Sequence, residues 1–200
     1  WLTTETGFPT LEKHRETARE YKTAAKKLRD AGILVSVELL STIGHGQYKM
    51  IRDNRGLVYD GSPVKDIVGH DGVSCRYAFC WWGDYVRKYI TETVKIYLSE
   101  IKPHALWIDD DFRAWNHDPV SFGCYCDDCI ARFNKKHSYS YTRESLVEEF
   151  LHGKISVRAE YIEFIREGLS SLMTEICKAA MEASPETKIG LENGPNGPYT

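Results

Sequence analysis

Three short apolar runs, each preceded by a long amphipathic segment, constrain the fold of this chain more than any other feature. The runs are continuous enough to be strands buried on both faces of a sheet, and they comprise residues 33–41, 105–108 and 189–192. Apolar residues recur at helical spacing in the segments before them, which are residues 11–30, 82–101 and 155–182. Helix and strand therefore alternate, and this order predicts a parallel sheet with right-handed crossovers.

The composition is that of an ordinary soluble domain. Hydrophobic residues make up 42% and charged residues 28% of 200 residues, which suffices for one sizeable core. We therefore predict a single domain over residues 1–200. The net charge of -3 gives no reason to expect nucleic acid as a partner, and the absence of a run of 18 apolar residues speaks against a membrane span.

The first residue, Trp1, is not a methionine, and we expect the chain to be a piece of a longer protein that is truncated at both ends. This leaves the compartment open between the cytoplasm and an exported, periplasmic or secreted precursor. The sequence is also compatible with a homo-oligomer.

Two architectures fit the order of elements, a doubly wound sheet and a (β/α)8 barrel. No G-x-G-x-x-G or P-loop motif opens any of the helices, which disfavours a nucleotide-binding sheet. The long loops follow strands, where a barrel places its active site, and residues 43–80 form the longest irregular stretch. Because a complete barrel requires about 250 residues, we predict an α/β fold that is an incomplete parallel (β/α)8 TIM barrel.

A cluster of cysteines indicates a metal site in the loop after the second strand. Cys124, Cys126 and Cys129 lie in the sequence Cys-Tyr-Cys-Asp-Asp-Cys, and the first turn of a following helix can bring their thiolates together. Zn²⁺ requires a fourth ligand, for which Cys80 is the first candidate and Cys75 the alternative. Four thiolates leave no position for water, so the zinc is predicted to be structural. Disulfides and unliganded thiols are the alternatives.

A row of carboxylates ends the same strand. Because side chains alternate along a strand, Asp109 and Asp111 should share one face and Asp110 the other, unless the strand bends. A carboxylate in an apolar barrel mouth is desolvated, which raises its pKa and suits a general acid, while Arg113 can hold a neighbouring carboxylate ionised. A Ca²⁺ or Mg²⁺ site and a solvated loop with a capping aspartate are the alternatives.

Four further polar residues are candidates for substrate binding. Glu38 lies within the first apolar run and Glu192 at the end of the third. His45 and His117 lie in loops that follow strands. For the two glutamates the alternative is a buried, paired carboxylate, and for the two histidines it is a solvated loop residue.

These motifs occur in an order that is also found in a family of enzymes. The strand that ends in acidic residues, the Cys-Tyr-Cys-x-x-Cys motif followed by a helix with Phe133, and Cys80-Trp-Trp-Gly before the preceding helix are the features in question. Over residues 20–192 the chain resembles the glycoside hydrolase family 42 β-galactosidases and the related hypothetical (β/α)8 glycoside hydrolases.

The resemblance implies hydrolysis of an O-glycosidic bond in a carbohydrate substrate, with retention of configuration, and a structural zinc. It places Asp111 at the position of the family's acid/base glutamate and Asp110 at that of the preceding asparagine. Asp110 or Asp109 is expected to orient the acid or to bind a sugar hydroxyl, and Arg113 is a further candidate for substrate binding. The nucleophile is expected on a later strand, beyond Thr200. A hydrolase that uses a divalent cation at Asp109–Asp111 and a non-catalytic carbohydrate-binding barrel are the alternative functions.

Overall fold

The structure, a computed structural model, describes residues 1–40, 42–44 and 64–192, which contain five helices and eight strands. The helices are α1 (Leu11–Asp30), α2 (Asp84–Ile101), α3 (Asp127–His137), α4 (Arg143–His152) and α5 (Ile155–Ala183). The strands are β1 (Leu2–Thr3), β2 (Ser36–Leu39), β3 (Asp66–Val68), β4 (Ser74–Phe79), β5 (Ala105–Ile108), β6 (Trp115–His117), β7 (Val120–Phe122) and β8 (Lys188–Leu191). Within the same ranges, no helix has both the length and the apolar character needed to cross a bilayer.

The main sheet has four parallel strands in the order β1-β2-β5-β8. Val37 of β2 lies level with Leu106 of β5, and Leu106 with Ile189 of β8. The predicted α/β class and parallel sheet are therefore confirmed. The described strands form an open sheet with β1 and β8 at its edges, and no closed barrel is present in this part of the chain.

The helices confirm the apolar periodicity of the sequence. Helix α1 has the predicted bounds because Thr10 caps it, its hydroxyl accepting a hydrogen bond from the amide of Lys13 at 3.2 Å. Helix α2 begins two residues later than predicted, after Gly83. Helix α5 has 29 residues and is about 43 Å long, whereas a four-residue strand spans about 13 Å. Its N-terminal half therefore extends well past the end of the sheet.

The two faces of the main sheet differ in character. Val37 and Leu39 of β2 and Leu106 and Ile108 of β5 are fully buried on one face, and helix α2 packs against both α1 and α5. Sequential right-handed crossovers place all three helices on that face. The other face carries Glu38, Trp107 and Gly190, which are in register on neighbouring strands.

Gly190 allows the ring of Trp107 to lie across strand β8. A Cβ atom at Gly190 would stand only 2.4 Å from Cζ3 of Trp107. The close approach therefore requires a glycine at this position of the strand.

Two predictions about local structure are wrong. Residues 43–80 are not uniformly irregular, because β3 and β4 form an antiparallel hairpin around Asp71 and Gly72, the latter with a φ of 83°. The first apolar run is also shorter than predicted, since the side chain of Leu34 is 71% exposed and β2 begins only at Ser36. His45 lies outside the described residues.

Candidate functional site

The four cysteines predicted as metal ligands come together, and we refer to them as the thiol cluster. Cys80 directly follows β4, while Cys124 and Cys126 follow β7 and Cys129 lies in the first turn of α3. Cys126 is the N-cap of α3, so its extended backbone turns the loop into the helix. One sulfur atom from each residue lies within 4.8 Å of all the others. Cys80, Cys124 and Cys129 are buried and Cys126 is half-buried.

The spacing of the sulfur atoms fits a tetrahedral metal ion. Cys80 and Cys129 are 3.5 Å apart and Cys80 and Cys126 are 3.8 Å apart, measured between Sγ atoms. With Zn–S bonds of about 2.3 Å, a tetrahedron has S···S edges of about 3.8 Å. The residues present therefore fit a four-coordinate ion, although the distances alone do not distinguish zinc from another metal that accepts thiolates.

The protonation of the four thiols also favours a cation. Hydrogen bonds from the thiols of Cys124, Cys129 and Cys80 hold the pKa of Cys126 far below its usual range. Hydrogen bonding to Cys124 and Cys126, together with burial, raises the pKa of both Cys80 and Cys129. A bound dication would stabilise the thiolate forms of Cys80 and Cys129, which burial disfavours.

Of the two candidates for the fourth ligand, Cys80 lies in the cluster and Cys75 does not. The thiol of Cys75 instead donates a hydrogen bond to the carbonyl oxygen of Asp118 at 3.3 Å. None of the six cysteines is in a disulfide.

The loop that carries the thiol cluster is tied to three other elements. The amide of Tyr125 donates to the carbonyl of Val68 in β3 at 2.7 Å, and Nε of Arg143 in α4 donates to the carbonyl of Tyr125 at 2.9 Å. The hydroxyl of Tyr161 in α5 donates to the carbonyl of Cys124 at 2.6 Å. A metal in the cluster would therefore cross-link a loop that joins several elements on one side of the domain.

Three carboxylates from three neighbouring strands meet where the main sheet ends, and we call this group the carboxylate edge. It consists of Glu38 in β2, Asp109 after β5 and Glu192 after β8, with one oxygen of each within 4.8 Å of the others. Glu38 is 8% and Asp109 6% exposed. The amide of Glu192 still donates to the carbonyl of Ile108 at 2.8 Å, so the ladder continues to the edge and fixes the side chains there.

The chain bends immediately after Ile108, so the aspartates do not alternate as they would along a strand. The amide of Asp111 donates to Oδ1 of Asp109 at 2.8 Å, which closes a turn. Arg113 then pairs with both following carboxylates, at 3.2 Å from Asp110 and 2.9 Å from Asp111. The row of aspartates therefore does not continue the strand, as the predicted exception allowed.

The side chains of Asp111 and His117 both lie close to neighbouring backbone. A Cβ atom at Gly44 would stand 2.7 Å from Oδ2 of Asp111, so the backbone after β2 closely approaches this carboxylate. The ring of His117 is buried, and its Nε2–H donates to the carbonyl of Arg113 at 3.1 Å. Burial lowers the pKa of His117, partly offset by the charge of Asp111, and the imidazole is therefore neutral at pH 7.

Glu192 is a carboxylate of this edge whose pKa is raised. Partial burial raises the pKa of Glu192, and the negative charges of Asp109 and Asp110 raise it further. A group of this kind is suited to act as a general acid.

A pocket of about 460 Å³ opens beside the carboxylate edge. Asp110, Arg113 and Glu192 line one end of it. Six aromatic side chains contribute to its wall, namely Phe112, Trp115, Phe122, Tyr125, Phe150 and Tyr161. We refer to it as the aromatic pocket. Asp111, which was predicted to face the substrate cavity, is not among the described residues that line this pocket.

The aromatic residues of the pocket were missed by sequence reasoning. Trp115 and Phe122 are cross-strand partners in the hairpin of β6 and β7, and cross-strand partners share a face. The Asp118-Pro119 turn between them was an available signal for this hairpin.

A scan of the chain against protein-family models finds no match, and a search of curated proteins finds none either. The resemblance to family 42 glycoside hydrolases therefore stays a prediction that these comparisons do not support.

Proposed function

We propose that this chain contributes the acid–base site of a glycoside hydrolase, with a structural zinc beside it. The observation that carries the proposal is the carboxylate edge, where one oxygen each of Glu38, Asp109 and Glu192 lies within 4.8 Å of the others. In retaining glycosidases the two carboxyl groups are about 5 to 5.5 Å apart, against about 6.5 to 9.5 Å in inverting ones. Retention, the β-galactosidase-like outcome, therefore rests on the family resemblance, because the nucleophile is expected beyond Thr200 and these three carboxylates do not give its distance from the acid.

The sheet topology supports a (β/α)8 barrel as the framework. A doubly wound sheet reverses its strand order and carries helices on both faces, whereas β1-β2-β5-β8 run in chain order. Helices α1, α2 and α5 follow one another on a single face, as in a barrel wall. On this interpretation Glu38, Trp107 and Glu192 point into the barrel. A closed (β/α)8 barrel requires four parallel strands in addition to the four of the main sheet.

Two carboxylates are candidates for the general acid. The family resemblance points to Asp111, which in this structure is the anion of an ion pair with Arg113. The raised pKa of Glu192 and its place at the aromatic pocket favour Glu192 instead. Protonated Glu192 would donate to the oxygen of the leaving group, while the neighbouring carboxylates stabilise the positive charge that develops on the sugar.

The metal has a structural role in this proposal. Cys80, Cys124, Cys126 and Cys129 would all bind it, so no coordination position stays open for water or substrate. When bound, it supplies charge neutralisation and a cross-link between the loop after β7 and the residue after β4.

The proposal is tested by assaying the metal-loaded full-length protein with a panel of aryl glycosides. We expect Glu192→Gln or Asp111→Asn to lower the turnover by a factor of about 10² to 10⁴ while the metal content stays unchanged. Glu182→Gln, an exposed change near the C-terminal end of α5 and outside the pocket lining, is the matched control and should retain full activity. Full turnover in both variants, with hydrolysis measurable in the unaltered protein, would reject the assigned roles.

A divalent cation at Asp109, Asp110 and Asp111 is the second candidate, because one oxygen from each lies within 4.8 Å of the others. Such a site would polarise an ester or amide substrate. Activity that is lost in EDTA and restored by Mg²⁺ or Mn²⁺, while the thiol cluster keeps its metal, would favour this function over glycoside hydrolysis. Saturable sugar binding without turnover would instead indicate a non-catalytic carbohydrate-binding barrel.

A further inference from the structure

The aromatic pocket has the features of a binding site for a planar apolar group. Ligand sites are typically concave, of about 300 to 1,000 Å³, and mainly apolar with a few polar groups that fix orientation. The pocket has about 460 Å³, and its lining combines apolar side chains with the charged residues Asp110, Arg113, Arg158, Arg166 and Glu192. We propose that it binds the aromatic leaving group of an aryl glycoside. This inference rests on the proposed function for the sugar part of the ligand, but not for its aromatic part.

The walls of the pocket come from elements that hold each other in place. Trp115 and Phe122 project from one face of the hairpin of β6 and β7. Among the other lining residues, the ring of Tyr125 stacks on that of Tyr161 with centroids 5.2 Å apart, and the ring of Phe150 lies 5.3 Å from Tyr161. A cavity lined by several flat rings suits a further flat ring.

The far wall is aliphatic and belongs to the part of α5 that extends past the sheet. Ile162 and Leu169 lie there, only partly buried and with their side chains lining the cavity. Arg158 and Arg166 also line this wall, but the first donates to the carbonyl of Phe150 and the second pairs with Glu163 at 3.4 Å. This wall therefore offers apolar contact together with two guanidinium groups.

The near end is polar and contains the proposed proton donor. Glu192 and Asp110 line the pocket there, and Arg113 pairs with Asp110 at 3.2 Å. A ligand with an apolar ring and a hydroxylated end would bury the ring and bring its oxygen to these groups. This polarity favours an aryl glycoside or its free phenol over a purely apolar molecule such as a fatty chain.

Binding is measured by titrating 4-methylumbelliferone, a fluorescent planar phenol, into the metal-loaded full-length protein. We expect saturable binding in the micromolar to millimolar range, weakened about tenfold by Phe150→Ala, which removes one ring of the wall. Leu151→Ala is the matched control, because Leu151 is the next residue of α4 and its side chain is 64% exposed. It should bind the phenol like the unaltered protein.

A second variant keeps the test decisive if Phe150→Ala does not fold. Ile162→Trp places a larger side chain at a partly exposed position of the wall, and we expect it to fold and to abolish phenol binding. Absence of saturable binding to the unaltered protein, or equal affinity in Phe150→Ala or Ile162→Trp, would overturn the pocket assignment. Phenol binding does not depend on turnover, so unchanged hydrolysis in both the Glu192→Gln and the Asp111→Asn variant would refute the catalytic proposal and leave the pocket standing.

Discussion

His14 makes the packing of α1 against α2 dependent on pH. Its side chain is 0% exposed, and both ring nitrogens contact tyrosine hydroxyls of α2: Nε2 lies 2.7 Å from Tyr89 and Nδ1 3.2 Å from Tyr97. Tyr89 donates its own proton to the carbonyl of Pro9, so it accepts the Nε2–H of His14. Nδ1 is then the acceptor for the hydroxyl of Tyr97, which in turn accepts the amide of Glu5. This arrangement fits a neutral imidazole.

The size of the effect follows from linkage. Burial lowers the pKa of His14 from 6.5 to about 3, so between these values the unfolded chain takes up a proton that the folded chain refuses. The stability from His14 is therefore complete above 6.5 and is lost as the pH falls toward 3. At about pH 5 the loss in the free energy of unfolding is about 2 kcal/mol relative to neutral pH.

The measurement compares urea unfolding of the metal-loaded protein and of His14→Gln at neutral pH and at about pH 5. Glutamine occupies similar space and does not titrate, so its stability should fall by about 2 kcal/mol less over this interval. Comparing the two proteins cancels the contribution of other groups, including the thiol cluster. The same pH dependence in both proteins would refute the linkage argument and show that His14 is protonated in the fold or is not buried.

Two further predictions concern the metal and the helix packing. Cys129→Ser should lose the bound metal, measured by elemental analysis, and unfold at lower temperature, while Cys75→Ser should keep the metal because Cys75 lies outside the cluster. Gly168→Ala should lower the free energy of unfolding by about 1 to 2 kcal/mol despite the higher helix propensity of alanine, because a Cβ there would stand 2.5 Å from Nε1 of Trp81. Ser170→Ala on the exposed side of the same helix should change it by less than about 0.5 kcal/mol, and equal effects at both positions would contradict the packing argument.

The periodic part of the fold was predictable from the sequence because local rules decide it. Thr10 gives the start of α1, and the apolar spacing of residues 155–182 gives nearly the whole of α5. The thiol cluster was also predictable, since soft ligands at short spacing next to a helix start leave few alternatives to a metal.

The hairpins and the pocket depend on interactions that no local pattern reveals. Strands of three residues, such as β6 and β7, are too short to show alternating apolar and polar side chains. Their pairing depends on a turn, which is a weaker sequence signal than a long periodic segment. The aromatic pocket joins Trp115 to Phe150, residues from different elements that meet only through tertiary packing. The position of the bend at Asp109 was likewise not predictable, because an aspartate side chain that accepts a hydrogen bond from a backbone amide can end a strand at any residue of the row.

The thiol cluster and the aromatic pocket are joined through two consecutive residues. Cys124 belongs to the thiol cluster and the next residue, Tyr125, contributes its ring to the aromatic pocket. If a metal binds the cluster and a ligand binds the pocket, as proposed, removing the metal with a chelator is expected to weaken ligand binding before the main sheet unfolds.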